Sequence, residues 1–263
     1  MKKKITVIIA THKKYRVPND KLYLPIHVGA YNKDDIGFTK DSTKDNISKK
    51  NPFFCELTGL YWAWKNLNSD YIGLVHYRRY LTNCKKKLKT IDDKFNNVLN
   101  YKEVEQLFRD NDIILPKKRK YYIENLYDHY KHTMYIEPLD ETRKIIEEKY
   151  PDYLSEFDKL HKRTSAHMFN MFIMKKEVLN GYCEWLFDIL FELEKRIDVS
   201  QYDSFHARFY GRVSELLLDV YLNTNNLKYT EVKCMDMENV NWFKKGTSFL
   251  KAKFFGKKYD KSF

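Results

Sequence analysis

The stretch Ser69-Asp-Tyr-Ile-Gly-Leu-Val-His-Tyr-Arg-Arg-Tyr80 joins a short apolar run directly to a cluster of cationic side chains. Residues 71–75 predict a buried strand, because the run is short, apolar and flanked by polar residues. In open α/β sheets, ligands bind just beyond the carboxyl ends of the strands, and the planar guanidinium of Arg matches phosphate geometry. The segment that follows the strand therefore predicts a phosphate or diphosphate site. The alternative is an ordinary strand followed by a solvated basic loop.

Strands and helices alternate along the rest of the chain. The predicted strands cover residues 4–10, 25–30, 71–76, 112–116, 169–174 and 228–233. One predicted helix starts at Asn51-Pro52. The others cover residues 101–109, most of 121–162, 176–196 and 202–222. Such alternation predicts an α/β fold, a Rossmann-type and mostly parallel sheet flanked by helices in a single domain. We expect that domain to span residues 1–240 and a basic aromatic tail to span 241–263.

The composition narrows the class of protein. A hydrophobic content of 43% can fill a real core, and no apolar run approaches the roughly 20 residues that a membrane-spanning helix needs. The first apolar run is short and polar residues follow it, so it predicts a first strand of a cytoplasmic protein rather than a signal peptide. Four cysteines lie far apart without a C-x-x-C pair, so neither a zinc site nor a disulfide framework is expected.

The net charge of +12 predicts an anionic partner. Nucleic acid, an anionic membrane surface and a phosphorylated substrate all fit this charge, and the charge alone does not choose among them.

Polar residues after the first strand form a second candidate binding segment. Thr11, His12 and Lys13 lie where α/β folds meet a nucleotide. Neither glycine-rich phosphate-binding motif, G-x-G-x-x-G or G-x-x-x-x-G-K-[ST], occurs, which disfavours Rossmann dehydrogenases and P-loop kinases. Asp45 and Asn46 precede the Asn51 helix and can read a base or a ribose, or can supply turn and cap chemistry.

Polar residues in the second half of the chain provide candidate substrate and acid–base groups. His167 and Asn170 lead into the strand at 169–174, and a polar side chain within an apolar strand needs a partner, either substrate or a neighbouring loop. Glu215 lies off the apolar stripe of the last helix, near its start, where a carboxylate stays ionised and suits a general base. The alternative for Glu215 is an exposed helix-surface position. Asp203 is a second candidate base, although Ser200–Asp203 also fits a capping box.

The segment Asp110-Asn-Asp112 has the D-x-D pattern by which many sugar-nucleotide enzymes hold a divalent metal. It precedes a predicted strand instead of ending one, so we predict no metal site there. The cationic side chains after residue 75 can neutralise a leaving diphosphate without a metal.

Together these segments resemble a family of bacterial capsular, exopolysaccharide and O-antigen glycosyltransferases of the DUF4422 type, some of which are galactofuranosyltransferases. The specific matches are Cys55-Glu-Leu-Thr58, Tyr61-Trp-Ala-Trp-Lys-Asn66 and His76-Tyr-Arg-Arg79. Weaker matches are Ile5–Lys13, Pro25–Gly29, Asp45–Ser48, Ile114–Lys118, Asn170–Ile173 and Ser214–Leu217. The resemblance covers roughly residues 4 to 222.

The resemblance implies a GT-A-like fold, a UDP-sugar donor and an inverting transfer. By this resemblance, Thr11, His12 and Lys13 lie near the uridine. The residues expected near the diphosphate are His76, Tyr77, Arg78 and Arg79. Glu215 would take the proton of the acceptor hydroxyl, and Glu56 is a rival polar residue within the Asn51 helix. Lys117, Lys118 and Arg119 would meet a lipid-linked acceptor's diphosphate or form a solvated basic face.

The tail interleaves aromatic and lysine residues, which is the pattern of an interfacial segment on anionic lipid. The alternatives for this pattern are a nucleic-acid-binding segment and a disordered basic tail. We therefore expect a cytoplasmic protein that is peripheral at the inner face of the cell membrane, and no nucleic-acid partner. The main alternative is a basic, non-catalytic nucleic-acid-binding protein, although no recognised motif of that class occurs. A nucleotidyltransferase would need metal-binding carboxylates at strand ends, and these are not evident.

Overall fold

The computed structural model describes residues 3–238, which form two compact units. The first unit contains residues 3–117, 169–184 and 228–238, and the second contains residues 118–168 and 185–227. The predicted membrane-binding tail, residues 241–263, lies outside the described residues.

Ten strands occur in the described part of the chain. They are β1 (Ile5–Thr11), β2 (Tyr23–His27), β3 (Thr39–Lys40), β4 (Tyr71–His76), β5 (Arg79–Thr82), β6 (Ile113–Pro116), β7 (Arg119–Lys120), β8 (Ser165–Ala166), β9 (Phe172–Lys175) and β10 (Thr230–Asp236). Eight of them form the sheet of the first unit, in the order β3-β2-β1-β4-β5-β10-β6-β9. An additional pairing of β4 with β9 closes five strands into a ring, and β7 pairs with β8 in the second unit.

The prediction of a mostly parallel sheet is wrong, because the sheet is mixed. Strand β1 runs parallel to β2 and β4, whereas β5 and β9 run antiparallel to the strands they pair with. The antiparallel direction of β5 follows from its connection. Only Tyr77 and Arg78 separate it from β4, and a two-residue loop can join only antiparallel strands. A strand that begins with a charged residue, Arg79, gave no apolar signal in the sequence.

The neighbouring strands β1 and β4 carry buried core residues of the first unit. Val7, Ile8 and Ile9 of β1 are fully buried. In β4 the backbone of β9 comes so close that a Cβ at Gly73 would lie 2.8 Å from the carbonyl oxygen of Phe172. A glycine is therefore required where β4 pairs with β9, and this packing fixes the position of the residues at the end of β4.

Nine α-helices occur in the described part of the chain. They are α1 (Asn51–Phe54), α2 (Leu57–Asn66), α3 (Ile91–Asn96), α4 (Tyr101–Leu107), α5 (Leu126–Thr133), α6 (Glu137–Lys149), α7 (Leu154–Asp158), α8 (Lys176–Arg196) and α9 (Phe209–Thr224). The bounds predicted for α8 are confirmed, and α4 starts after a capping box in which Asn100 and Glu103 bond to each other's backbone N–H groups. The helix predicted to start at residue 202 starts at Phe209 instead, and a short 3-10 turn at His206–Arg208 precedes it.

The helix predicted to run on from Asn51 is broken at Cys55, which has a φ of +51°. This left-handed conformation is rare for a residue with a side chain. It separates α1 from α2 and places Glu56 at the junction, immediately before the first residue of α2.

Within residues 3–238, no helix combines the length and the apolar sequence that a membrane-crossing helix needs.

Candidate functional site

The carboxyl ends of β1 and β4 lie side by side in the first unit. The strands are parallel, Ala10 is paired with His76, and the backbone N–H of Tyr77 donates to the carbonyl of Ala10 over 3.2 Å. The exposed residues that follow β1 reach the same place. The ring centre of His12 lies 5.4 Å from that of Tyr77, and Nζ of Lys13 lies 5.4 Å from the Tyr77 ring centre. Two segments that are more than 60 positions apart thus present their polar residues together.

Thr11 stabilises the turn that follows β1. It is buried, and its hydroxyl donates to the carbonyl of Lys13 over 2.6 Å. The hydroxyl therefore serves a local turn that directs His12 and Lys13 outward, as side chains of this kind often do.

Arg78 and Arg79 each have an acidic neighbour that was not predicted from the sequence. Nε of Arg79 donates to Asp236 over 2.9 Å, and Nη1 of Arg78 lies 3.4 Å from an oxygen of Glu238. Arg78 is half exposed, whereas the Arg79 side chain is 18% exposed and its guanidinium carbon lies 4.4 Å above the ring centre of Phe169. The contacts of Arg79 hold its planar group in one orientation, which favours recognition of a planar or tetrahedral anion.

His76 is a neutral member of this cluster. Its Nε2 lies 2.6 Å from the carbonyl oxygen of Phe169, and since a carbonyl only accepts, the neutral ring carries its proton on Nε2. Burial lowers the pKa of His76, Arg79 lowers it further, and Glu56 opposes them. The expectation that His76 adds a positive charge is therefore wrong near neutral pH, where its role is hydrogen bonding.

Glu56 and Asn170 form a hydrogen-bonded pair in the same unit. Nδ2 of Asn170 donates to Oε1 of Glu56 over 2.8 Å, and Asn170 is buried. The sequence placed Asn170 within a strand. The structure corrects this, because Asn170 has a φ of +52° in a turn before β9. Of the two alternatives for Asn170, the contact with a neighbouring segment is the one observed.

Strained backbone surrounds Glu56 and His76. Cys55 precedes Glu56, Phe169 receives the His76 hydrogen bond with a φ of +78°, and Asn170 holds Glu56. Such conformations cost about 1–3 kcal/mol each, persist only where the surrounding structure enforces them, and cluster at functional sites. Their convergence on one carboxylate and one imidazole marks this place as the candidate active site.

Asp45 and Asn46 form hydrogen bonds with their own loop and with α2. The Asp45 side chain bonds the Tyr61 hydroxyl, and its carbonyl accepts from Asn66 over 2.7 Å. Nδ2 of Asn46 donates to the carbonyl of Lys44, and its Oδ1 accepts from the N–H of Ser48. These contacts fit the turn-and-cap alternative, and reading a base or ribose stays a prediction.

The second unit contains a buried dyad. Nδ1 of His167 lies 2.5 Å from Oδ1 of Asp219, His167 is fully buried, and Nζ of Lys118 lies 4.0 Å from the other carboxylate oxygen. Burial alone would raise the pKa of Asp219, but the hydrogen bond from His167 and the charges of His167 and Lys118 outweigh burial and lower it. Asp219 was missed, although a lone acidic residue after Leu216-Leu-Leu218 in an apolar stripe is a usable signal.

Glu215 and Asp203, the two predicted acid–base groups, differ in their surroundings. Glu215 is buried, with Nη1 of Arg212 3.5 Å from Oε1, so the alternative of an exposed helix-surface residue is wrong. The Asp203 carboxylate accepts from the backbone N–H groups of Phe205 and His206 and contacts Nδ1 of His206 at 2.5 Å. Asp203 thus closes the turn before His206–Arg208. The predicted Ser200–Asp203 capping box does not form, because the Ser200 N–H donates to Asp198 instead.

The predicted acceptor-binding lysines span the end of one unit and the start of the other. Lys117 follows β6 and is exposed, and its backbone N–H donates to the carbonyl of Val232. Arg119 lies in β7 of the second unit, with its guanidinium carbon 5.2 Å from the ring centre of Tyr121.

Residues 3–238 contain no group of three or more His, Cys, Asp or Glu side chains arranged to hold a metal ion. Asp110 and Asp112 are both exposed.

Residues 6–226 match the family model described as "Domain of unknown function (DUF4422)". This match spans most of the chain, so the chain belongs to the DUF4422 family, and the resemblance drawn from its motifs is confirmed.

Among solved structures, the chain is similar to the apo structure of WbbM, a bifunctional glycosyltransferase, with a TM-score of 0.83 and 33% identity. The match covers 90% of this chain and 46% of the WbbM chain, so this chain spans about half of that protein. Among curated proteins, it is 33% identical over 159 residues to origin recognition complex subunit 5 of Plasmodium falciparum (isolate 3D7), which covers 58% of this chain and 15% of that protein. The mixed α/β fold is therefore similar to part of a glycosyltransferase.

Proposed function

We propose that this chain is a glycosyltransferase that transfers a hexosyl residue, with galactofuranosyl as one candidate, from a UDP-sugar to a lipid-linked or oligosaccharide acceptor. The products would be capsular polysaccharide, exopolysaccharide or O-antigen. The observation that carries the proposal is the meeting of His12, Lys13 and Arg78 around Tyr77 at the ends of β1 and β4, with Arg79 paired to His76 beside them, in a fold similar to part of a glycosyltransferase. Because WbbM is bifunctional and this chain spans 46% of it, we assign one transfer activity.

The donor's diphosphate would bind to the cations of the first unit. Arg79 is oriented by Asp236 and Phe169, whereas Arg78 and Lys13 are more exposed and can adjust to the ligand. A diphosphate carries more charge than the carboxylates that now neighbour the arginines, so it competes with them for charge-assisted hydrogen bonds. The uridine would lie near Thr11, His12 and Lys13, with Asp45 and Asn46 as candidate ribose contacts.

The leaving group would be stabilised by side chains. As the bond between the anomeric carbon and UDP breaks, its electron pair moves onto the β-phosphate, and Arg78 and Arg79 would balance the new charge. We therefore favour a transfer that needs no metal.

The transfer would be a single inverting displacement. The acceptor hydroxyl oxygen attacks the anomeric carbon, the bond to UDP breaks, and the hydroxyl proton passes to a carboxylate. Glu215 is the base that the sequence suggested, with Asp203 as the second candidate. Glu56, which the first unit holds beside His76, is the base that we favour over these two candidates.

The acceptor would be met by basic and polar residues outside the donor site. Lys117, Lys118 and Arg119 would bind a lipid diphosphate, with His167 and Asn170 as further substrate contacts. The tail at 241–263 would bring the protein to an anionic membrane surface at the cytoplasmic face.

The proposal predicts that UDP is released from at least one UDP-hexose, tested as a panel that includes UDP-galactofuranose, with a membrane extract as acceptor. Arg79→Ala should slow this release by about 10²–10³-fold, as expected when one donor to a developing oxyanion is lost. Arg79→Lys should restore only part of it, since a lysine cannot reproduce the planar fork. Lys14→Ala, a matched change at an exposed neighbouring cation, should have little effect.

Two results would contradict the proposal. One is an absence of UDP release from every donor, with and without added metal, by a protein whose thermal melt shows that it is folded. The other is tight oligonucleotide binding that weakens steeply with salt, which would support the nucleic-acid-binding alternative.

A further inference from the structure

Residues 121–124 of the second unit form a short loop that displays two apolar side chains to solvent. Tyr122 is 90% exposed and Ile123 is 58% exposed, the two largest exposures among the large hydrophobic residues that the structure describes. Large apolar side chains shown side by side at a loop tip mark a contact surface more often than scattered single ones do.

The 121–124 loop is held at both ends by the same neighbouring segment. The N–H of Tyr121 donates to the carbonyl of Thr164 over 2.7 Å, and the N–H of Leu126, just after the loop, donates to the carbonyl of Arg163 over 2.8 Å. The preceding strand β7 pairs with β8. The loop therefore has a fixed base.

The outer residues of the 121–124 loop turn inward. The ring centre of Tyr121 lies 4.2 Å from that of His129, and the Glu124 side chain is only 3% exposed, with its two oxygens each 2.8 Å from Nδ1 of His129 and His132. Burial alone would raise the pKa of Glu124, but the hydrogen bonds from the two histidines outweigh burial and lower it. The carboxylate is therefore ionised between the two histidines. With the outer two residues anchored, the inner pair, Tyr122 and Ile123, is presented outward.

Two lysines lie on the two segments that hold the loop. Lys120 directly precedes the loop, and Lys162 directly precedes Arg163, which receives the bond of Leu126. Both lysines are exposed. An aromatic and an aliphatic side chain between lysines combine the two terms that bind proteins to an anionic bilayer, apolar insertion at the headgroup level and attraction to the lipid charge.

We propose that Tyr122 and Ile123, flanked by Lys120 and Lys162, form a docking contact for an anionic lipid bilayer. This contact lies within the described residues and is distinct from the tail at 241–263. It goes beyond sugar transfer, because vesicle binding requires neither donor nor acceptor, and its test is independent of the proposed function.

The test uses the full chain and vesicles of phosphatidylcholine with or without phosphatidylglycerol. Replacing both Tyr122 and Ile123 by Ser should weaken sedimentation with the anionic vesicles by about tenfold. Lys120→Gln and Lys162→Gln should each weaken it by about fivefold at low salt. The matched control is Ile91→Ser, which removes a 41%-exposed isoleucine of the first unit and should leave vesicle binding unchanged. Thermal melts would show that every variant is folded.

A local readout separates the loop from the tail. Tyr122→Trp should add emission that vesicles with brominated acyl chains quench, whereas Ile91→Trp should add emission that they do not quench. Binding without quenching at Tyr122, wild-type binding by the double Ser variant, or no vesicle binding at all would each overturn the proposal. A response of Tyr122→Trp to soluble glycan in the absence of vesicle binding would also overturn it, by making the loop a carbohydrate contact.

Discussion

Glu56→Gln is expected to lower the rate of sugar transfer by about 10²–10⁴-fold, the usual contribution of a positioned general base. Glutamine keeps the side-chain oxygen that accepts from Nδ2 of Asn170, so the fold of the site should be preserved. It cannot take the proton of the acceptor hydroxyl. Donor affinity should change little, because the loss falls on the transition state. The measurement is steady-state kinetics of UDP release with saturating donor.

Strained neighbouring residues and a hydrogen bond fix the position of Glu56. The residue before it is strained, its partner Asn170 is strained, and the residue before that partner accepts the hydrogen bond of His76. The carboxylates of Asp236 and Glu238 instead face arginines. Glu56 is thus held beside the neutral imidazole of His76, where its carboxylate can accept the proton of the acceptor hydroxyl.

Two further variants make this test decisive. Glu238→Gln removes a carboxylate beside Arg78 without removing the expected base, and it should leave most of the activity. Glu215→Gln tests the base that the sequence favoured. Full activity in Glu56→Gln together with a large loss in Glu215→Gln would refute the role of Glu56 and assign the proton transfer to the second unit.

Asp41→Ala should lower the free energy of unfolding by about 3–5 kcal/mol, because it leaves several buried hydrogen-bond donors without an acceptor, at a cost of about 1–3 kcal/mol each. Asp41 is fully buried. Its carboxylate accepts from the backbone N–H groups of Gly29 and Ala30 and from the hydroxyls of Ser48 and Thr58, over 2.5–3.0 Å. Without the carboxylate, these four donors remain buried and lose their acceptor. Urea unfolding monitored by circular dichroism measures the change.

The matched control for Asp41 is Asp34→Ala, at an exposed carboxylate in the same part of the chain. It should change the unfolding free energy by less than about 0.5 kcal/mol, as most surface substitutions do. Asp41→Asn should fall between the two, since the amide keeps one acceptor oxygen. A loss below about 1 kcal/mol for Asp41→Ala would show that the loop between β3 and α1 does not depend on this network.

Elements whose signal lies in consecutive residues could be predicted from the sequence. The apolar run of β4 and the bounds of α8 are where their patterns put them, and the parallel pairing of β1 and β4 brings the residues after each strand together. Strand β5 could not be predicted, because its first residue is Arg79 and its apolar run is only two residues long, Tyr80 and Leu81.

The details of the site depend on contacts that no local pattern contains. Asn170 and Glu56 are 114 positions apart, and the carbonyl that fixes His76 belongs to a residue 93 positions away. His76 was grouped in the sequence with the cationic side chains after β4, whereas burial is the largest of the effects that lower its pKa. Asp41 lies in a polar loop, where an isolated carboxylate gives no sign that four distant donors converge on it.

The central claim is that the residues at the ends of β1 and β4 bind the diphosphate of a UDP-sugar without a metal. The most direct measurement is a calorimetric titration of the protein with UDP, first in EDTA and then with Mg²⁺ or Mn²⁺. We expect binding in EDTA that added metal does not strengthen and that Arg79→Ala removes. Binding only in the presence of metal would contradict it and would direct attention to Asp110 and Asp112, and an absence of binding in both conditions would contradict the donor site itself.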